Sequence, residues 1–423
     1  MYVAELRSWL SAPNPNRFPY KTVVHAYHSV GKHFVPTDLL ELLGEARTAL
    51  PEISGPWPWL RTLAAFLDTA LDKPDKRYEY PTYLALPLLE LPTTDDPVEY
   101  APYARSRCDR RIAQLVTDVL AFELAALDGM TTLLPMMRPA PELVVKRCRH
   151  GLRAIQPTLA RMGLNIEPMA GGAIEQARDI CALVRADMSF GERHSIDLSI
   201  LPVYTVHDEY LFLRVLQAFE TMFALLATHL RGAVTALAVG EIDRAVSFIT
   251  SSTATLRQTA PLFSMLATMQ IESFRTFRQF TDGASAIQSR NYKFVESLCR
   301  KPDVERVDSP AYLSVPEVRD RLMAGQQVTL DDAYTRALRS SDLAEPEHAR
   351  LTEAMADFSA ALLRWRTTHY RLAVRMLGNA TGTGYTEGTP YLAAVRTIPV
   401  FGTVDAISET IPDSTTADRI VNL

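Results

Sequence analysis

Apolar residues recur at helical spacing through most of the second half of the chain. Trp365, His369, Leu372, Ala373 and Met376 fall at i, i+4, i+7, i+8 and i+11 and share one helix face, whereas Arg364, Arg366, Arg371 and Arg375 lie largely off it. The same periodicity predicts helices over roughly 207–238, 241–270, 271–280, 289–300, 331–340 and 346–378, punctuated by Gly240-Glu241 and Asp282-Gly283. Upstream, 104–128 and 141–162 carry it too. Strand-type alternation is almost absent, so the pattern predicts an all-α protein.

The first half has a different texture. Eighteen of the 27 prolines precede residue 170, in clusters around Pro13–Pro19 and Pro51–Pro58. Proline ends helices and enforces extended or turn geometry, which predicts short helices with rigid connections. The stretch from Ser189 to Tyr204 reads as an extended linker. A division into residues 1–195, a proline-rich helical region without an assigned role, and residues 196–423, a second helical domain, follows from this change.

With 423 residues, 47% of them hydrophobic, the chain is long and apolar enough for a substantial core. A net charge of −5 and a pI near 6.0 argue against nucleic acid or an anionic membrane as partner, because both select basic surfaces. Small molecules fit better. Cys108, Cys148, Cys181 and Cys299 are scattered without CxxC spacing, as expected of reduced thiols. The N-terminus shows no basic stretch followed by an apolar one, and no apolar run approaches the ~20 residues that cross a bilayer. A cytoplasmic protein is the expectation.

The candidate chemistry centres on His369. Taken alone, a histidine on an apolar helix face is either a core residue or a ligand. Three spaced motifs add to it. Residues 207–212 read H-D-E-Y-L-F; Phe277-Arg278 is followed by Ser285 to Ser289 (S-A-I-Q-S) and Glu296; His369 is followed by Arg375, Gly378 and Gly382-Thr383-Gly384. Together and in this order they resemble the tryptophan 2,3-dioxygenase family of haem proteins, over roughly residues 200–400.

The resemblance implies a helical haem domain preceded by an extra helical region. It implies haem b as cofactor, with His369 as the axial ligand to its iron. A neutral imidazole suits that task, giving iron one strong protein ligand while the opposite face stays open. Arg278 would grip a substrate carboxylate through paired charge-assisted bonds; alone it reads as a surface arginine or a partner of a haem propionate. Thr383, between two glycines, would help hold the amino-acid end of the substrate. Phe212 and Phe274 would wall an aromatic ring, and Ser285 would lie near the open face of the iron. Of the other histidines, His25, His28 and His33 sit in a proline-flanked region. His150, His194, His229 and His348 sit among charges or at exposed helix positions, and His207 starts a helix.

Departures from the family pattern accompany the matches. Leu216 stands where the family has a histidine near the indole nitrogen, just before Gln217 and Glu220. Phe274 replaces a tyrosine, and Tyr385 and Glu387 alter the glycine-rich loop. An oxygenase that inserts O2-derived oxygen into the ring of tryptophan or a modified aromatic amino acid is expected, in a homo-oligomer. The alternative is a non-catalytic haem-binding or structural helical protein.

Overall fold

The computed structural model of the protein describes residues 2–53, 59–164, 171–281, 283–339, 344–378 and 388–404. Among these the architecture is all-α. The sole β pairing among the described residues is an isolated bridge between Met136 and Val206. The helix His207–Ala238 is the axis of the molecule, buried along nearly its whole length and packed by Ala101–Leu127, Ile242–Arg257 and Arg290–Cys299. A helix apolar on all sides needs neighbours on all sides. By length and composition this one is apolar enough to span a bilayer, which corrects the expectation that no run comes near that limit. Its apolar window is 89% buried against the surrounding helices, so its hydrophobicity serves the bundle.

Two apolar cores form. The smaller unites the first four helices (Tyr2–Ser11, Tyr20–Val30, Thr37–Ala49 and Leu60–Ala70) and reaches Leu198 and Leu201. The larger runs from Tyr80 to Val404 and takes side chains from both sides of residue 195. The two meet along residues 198–204. There Lys32 N donates to Pro202 O (2.7 Å) and the His28 ring bonds Ile200 O (2.8 Å). Gly31, at φ +82°, makes the approach possible: a Cβ there would stand 2.6 Å from the Tyr204 Cα.

His207, Asp208 and Glu209, at the start of the central helix, are fully buried and act as a hub. His207 Nε2 lies 3.2 Å from Glu123, Arg147 bonds both Glu123 and Asp208 at 2.7 Å, and Glu209 accepts from the backbone N–H groups of Val203 and Tyr204. Asp208 also accepts from Gln270 N (2.7 Å), the residue that opens the helix Ile271–Arg278. This motif therefore fixes where the helix bearing Phe274 and Arg278 begins.

Four local expectations are corrected. The supposed linker contains the helix Phe190–Leu198, started by a capping box in which Ser189 Oγ accepts from Glu192 N and Glu192 accepts from Ser189 N. The predicted 241–270 helix breaks into Ile242–Arg257 and Ala260–Leu266, because Pro261 fits only the first turn of a new helix. Arg366 points inward, with Nε donating to Tyr292 Oη (2.9 Å) and Nη1 to Ile398 O (2.6 Å). His229 is buried rather than exposed, its ring 5.2 Å from that of Phe248. Ser189→Ala removes the cap and should destabilise the protein by about 1 kcal/mol, read as a lower urea midpoint. An unchanged midpoint would show that the cap contributes nothing net.

Candidate functional site

One large cavity opens between the central helix and its C-terminal neighbours, with about 1640 Å³ of atom-free space including its mouth. Four elements bring sequence-predicted residues to its wall. Phe212 and Leu216 come from one face of the central helix, four residues apart. Phe274 and Arg278 are likewise four apart on Ile271–Arg278. Ser285 lies in the following turn, and His369 projects from the helix Glu345–Leu377. Thr383, with the rest of the glycine-rich loop, lies outside the described residues. The His369 helix ends at Gly378, whose φ of +60° suits glycine, just before that loop.

The walls are aromatic. Phe212 meets Phe274 edge-on at 5.8 Å and Phe277 at 5.4 Å. On another side Trp365 gathers Phe219, Phe223, Phe263 and Tyr292 around it at 5.1–5.9 Å, with the His369 ring 5.2 Å away. Ser285 is held by Gln288, whose side-chain oxygen accepts from Ser285 N (3.1 Å) and also from Tyr80 N (2.9 Å). Tyr80 and Tyr83 line the cavity as well. The region before residue 195 thus contributes directly to the site, which sequence reading missed: nothing in the Y-P-T-Y of 80–83 marks it as cavity wall.

His369 is enclosed by protein but faces open cavity. Burial pushes its pKa down to about 4, and among the described residues no hydrogen bond to its ring is formed. It is the cavity's single histidine. A neutral imidazole alone in an apolar cleft cannot assemble a metal site from protein ligands, yet it fits haem, whose macrocycle would bring the iron's remaining nitrogen donors with it. Arg278, half-buried at the end of its helix, has its pKa lowered by burial.

Glu220 lies one turn beyond Leu216 on the cavity wall, with Asn291 Nδ2 donating to it at 3.1 Å. Burial raises its pKa to about 7, against the opposing hydrogen bonds. Unfolded, it ionises near ~4.3. The folded state therefore holds this proton after the unfolded state has lost it, and stability falls as pH rises from about 4.5 to 7. Glu220→Gln, which mimics the neutral form, should flatten that decline in urea midpoints measured from pH 5 to 8. An identical pH profile in the variant would assign the decline to other groups.

Sequence comparison with known proteins gives distant but extended matches. Tryptophan 2,3-dioxygenase of Burkholderia lata is 26% identical over 250 residues, which cover 51% of this chain and 80% of the relative. The enzyme of the same name from Polaromonas sp. is 25% identical over 250 residues, covering 51% and 85%. That of Kineococcus radiotolerans is 25% identical over 280 residues, covering 56% and 98%. No sequence model of a protein family matches the chain.

Proposed function

We propose that the chain is a divergent relative of the tryptophan 2,3-dioxygenases it matches at 25–26% identity, and that it is a haem-dependent oxygenase acting on an aromatic amino acid of the tryptophan type. The observation that carries this reading is the convergence of Phe212, Leu216, Phe274, Arg278, Ser285 and His369, from separate elements, on one aromatic cavity.

His369 would hold haem b, and the apolar walls would exclude water from it. When bound, haem supplies the redox-active iron that activates O2. Arg278 would orient the substrate by its carboxylate, since a half-desolvated guanidinium binds that group through charge-assisted hydrogen bonds. Phe212 and Phe274 would stack against the ring and fix its plane, placing the ring's reactive bond toward the cofactor. Thr383 would close over the amino-acid end from the glycine-rich loop. The product is a ring carrying both oxygen atoms of O2, or one of them where an external two-electron donor reduces the other to water, and we place the reaction in specialised metabolism because several pocket positions depart from the family pattern at once. Haem reconstitution followed by incubation with tryptophan and its analogues tests the reading; a chain that binds no haem would refute it.

Leu216 sets the substrate preference. An indole N–H against an aliphatic side chain loses a hydrogen-bond partner, at a cost of about 1–3 kcal/mol. Unmodified tryptophan should therefore be outcompeted, on the order of tenfold or more in kcat/KM, by analogues substituted on the ring or at its nitrogen. Leu216→His should narrow the gap. A clear preference of the wild-type protein for plain tryptophan would overturn this assignment.

A further inference from the structure

A second feature of the cavity wall is cationic. Lys293, on the helix Arg290–Cys299, is only 2% exposed, yet its side chain reaches the cavity. Arg306 and Arg366 line the same space. The carboxylate that acts on these cations, Glu296, is already taken: Arg306 donates to both its oxygens (2.7 and 3.0 Å), and Tyr312 Oη donates to Oε1 (3.3 Å). Among the described residues Arg366 donates only to a tyrosine hydroxyl and a backbone carbonyl, with Glu296 acting on it electrostatically. Lys293 has no hydrogen-bond acceptor among the described residues; its Nζ stands over the rings of Tyr292 and Tyr312, 5.3 and 5.4 Å from their centroids.

Two buried cations thus lack a carboxylate of their own. Burying charge without a counter-ion is costly, and such groups are ordinarily paired or changed in protonation. Burial does depress the Lys293 ammonium, to about 8, although Glu296 opposes the shift. An anion delivered by a ligand would complete the arrangement. Arg366 lies three residues before His369 on the same helix, so the cationic group and the imidazole face one ligand-sized space from adjacent positions. Arg278, assigned above to the substrate carboxylate, stands on another helix.

We propose that Lys293 and Arg366 form a seat for carboxylates of the haem, its two propionates, with Glu296 and Arg306 holding the seat in place. This rests on the haem-binding reading of the cavity. The seat would hold the carboxylate edge of the cofactor, while His369 would hold its iron.

The test compares haem b with its dimethyl ester, in which both propionates are capped, in titrations of wild-type, Lys293→Met and Lys293→Arg proteins followed by absorbance and by quenching of tryptophan fluorescence. Thermal melts of the apo-proteins confirm folding. The wild-type protein should bind haem at least tenfold more tightly than the ester, Lys293→Met, which leaves Arg366 alone in the seat, should lose most of that preference, and Lys293→Arg should keep it. Equal binding of haem and ester by the wild-type protein would overturn the seat while leaving haem binding intact. So would a Lys293→Met variant that keeps the full wild-type preference for haem, including one in which only the response to an amino-acid carboxylate is lost, which would transfer Lys293 to the substrate. Failure of the wild-type protein to bind either compound would instead reject the functional reading itself.

Discussion

Replacing His369 with alanine is expected to lower haem content by at least tenfold and to abolish turnover. His369 is the one imidazole on the cavity wall, and its low pKa keeps it neutral and ready to donate to a metal across the working pH range. The ring bonds no other described group, so its removal orphans no partner and should leave the apo-protein folded. Free imidazole supplied to the variant should restore part of the haem binding through the space vacated. Haem content measured after reconstitution, with and without imidazole, decides the matter. A variant with an unaltered Soret spectrum would place the ligand elsewhere.

Arg278→Ala is expected to weaken productive binding of the amino acid by on the order of a hundredfold. Breaking one side of a desolvated ion pair costs roughly 3–5 kcal/mol, and the half-buried position of Arg278 places its effect at or below the lower end of that range. The loss should be specific to the carboxylate. Intact and decarboxylated substrates, well separated by the wild-type protein, should converge in the variant. Undiminished discrimination would give Arg278 a different task.

His369 was legible in the sequence because the period of its helix assigns its direction, whereas Arg278 was singled out by its place in the motif and alone reads as a surface arginine. The spacing of Trp365, His369 and Met376 specifies an inward face, and Phe274 and Arg278 share a face by the same arithmetic. The spacing of motifs added what periodicity lacks, which helix meets which. Arg366 defeated the reading because a long polar side chain at the edge of an apolar stripe is indistinguishable in sequence from a solvated one; only the Tyr292 hydroxyl and Ile398 carbonyl, brought close by folding, draw it inward.

Tyr80 and Tyr83 were invisible for a related reason. Their place on the cavity depends on a hydrogen bond from Tyr80 N to Gln288, over two hundred residues away, and local patterns carry no record of such a contact. The helix at 190–198 was different: its S-x-x-E cap was present in the sequence and outweighed the linker reading that its polar composition suggested. The role of Thr383 stays with the resemblance, as its loop lies outside the described residues.

The central claim is that this cavity joins haem, O2 and an aromatic amino acid in one reaction. Mass analysis of the amino acid recovered after the reduced, haem-loaded protein meets a tryptophan analogue under isotopically labelled O2 tests it most directly. The account predicts labelled oxygen on the ring, strongly reduced in the Arg278→Ala sample and absent from the His369→Ala sample. Recovery of unlabelled, unchanged amino acid from protein that holds haem and shifts its Soret band on adding the analogue would contradict it.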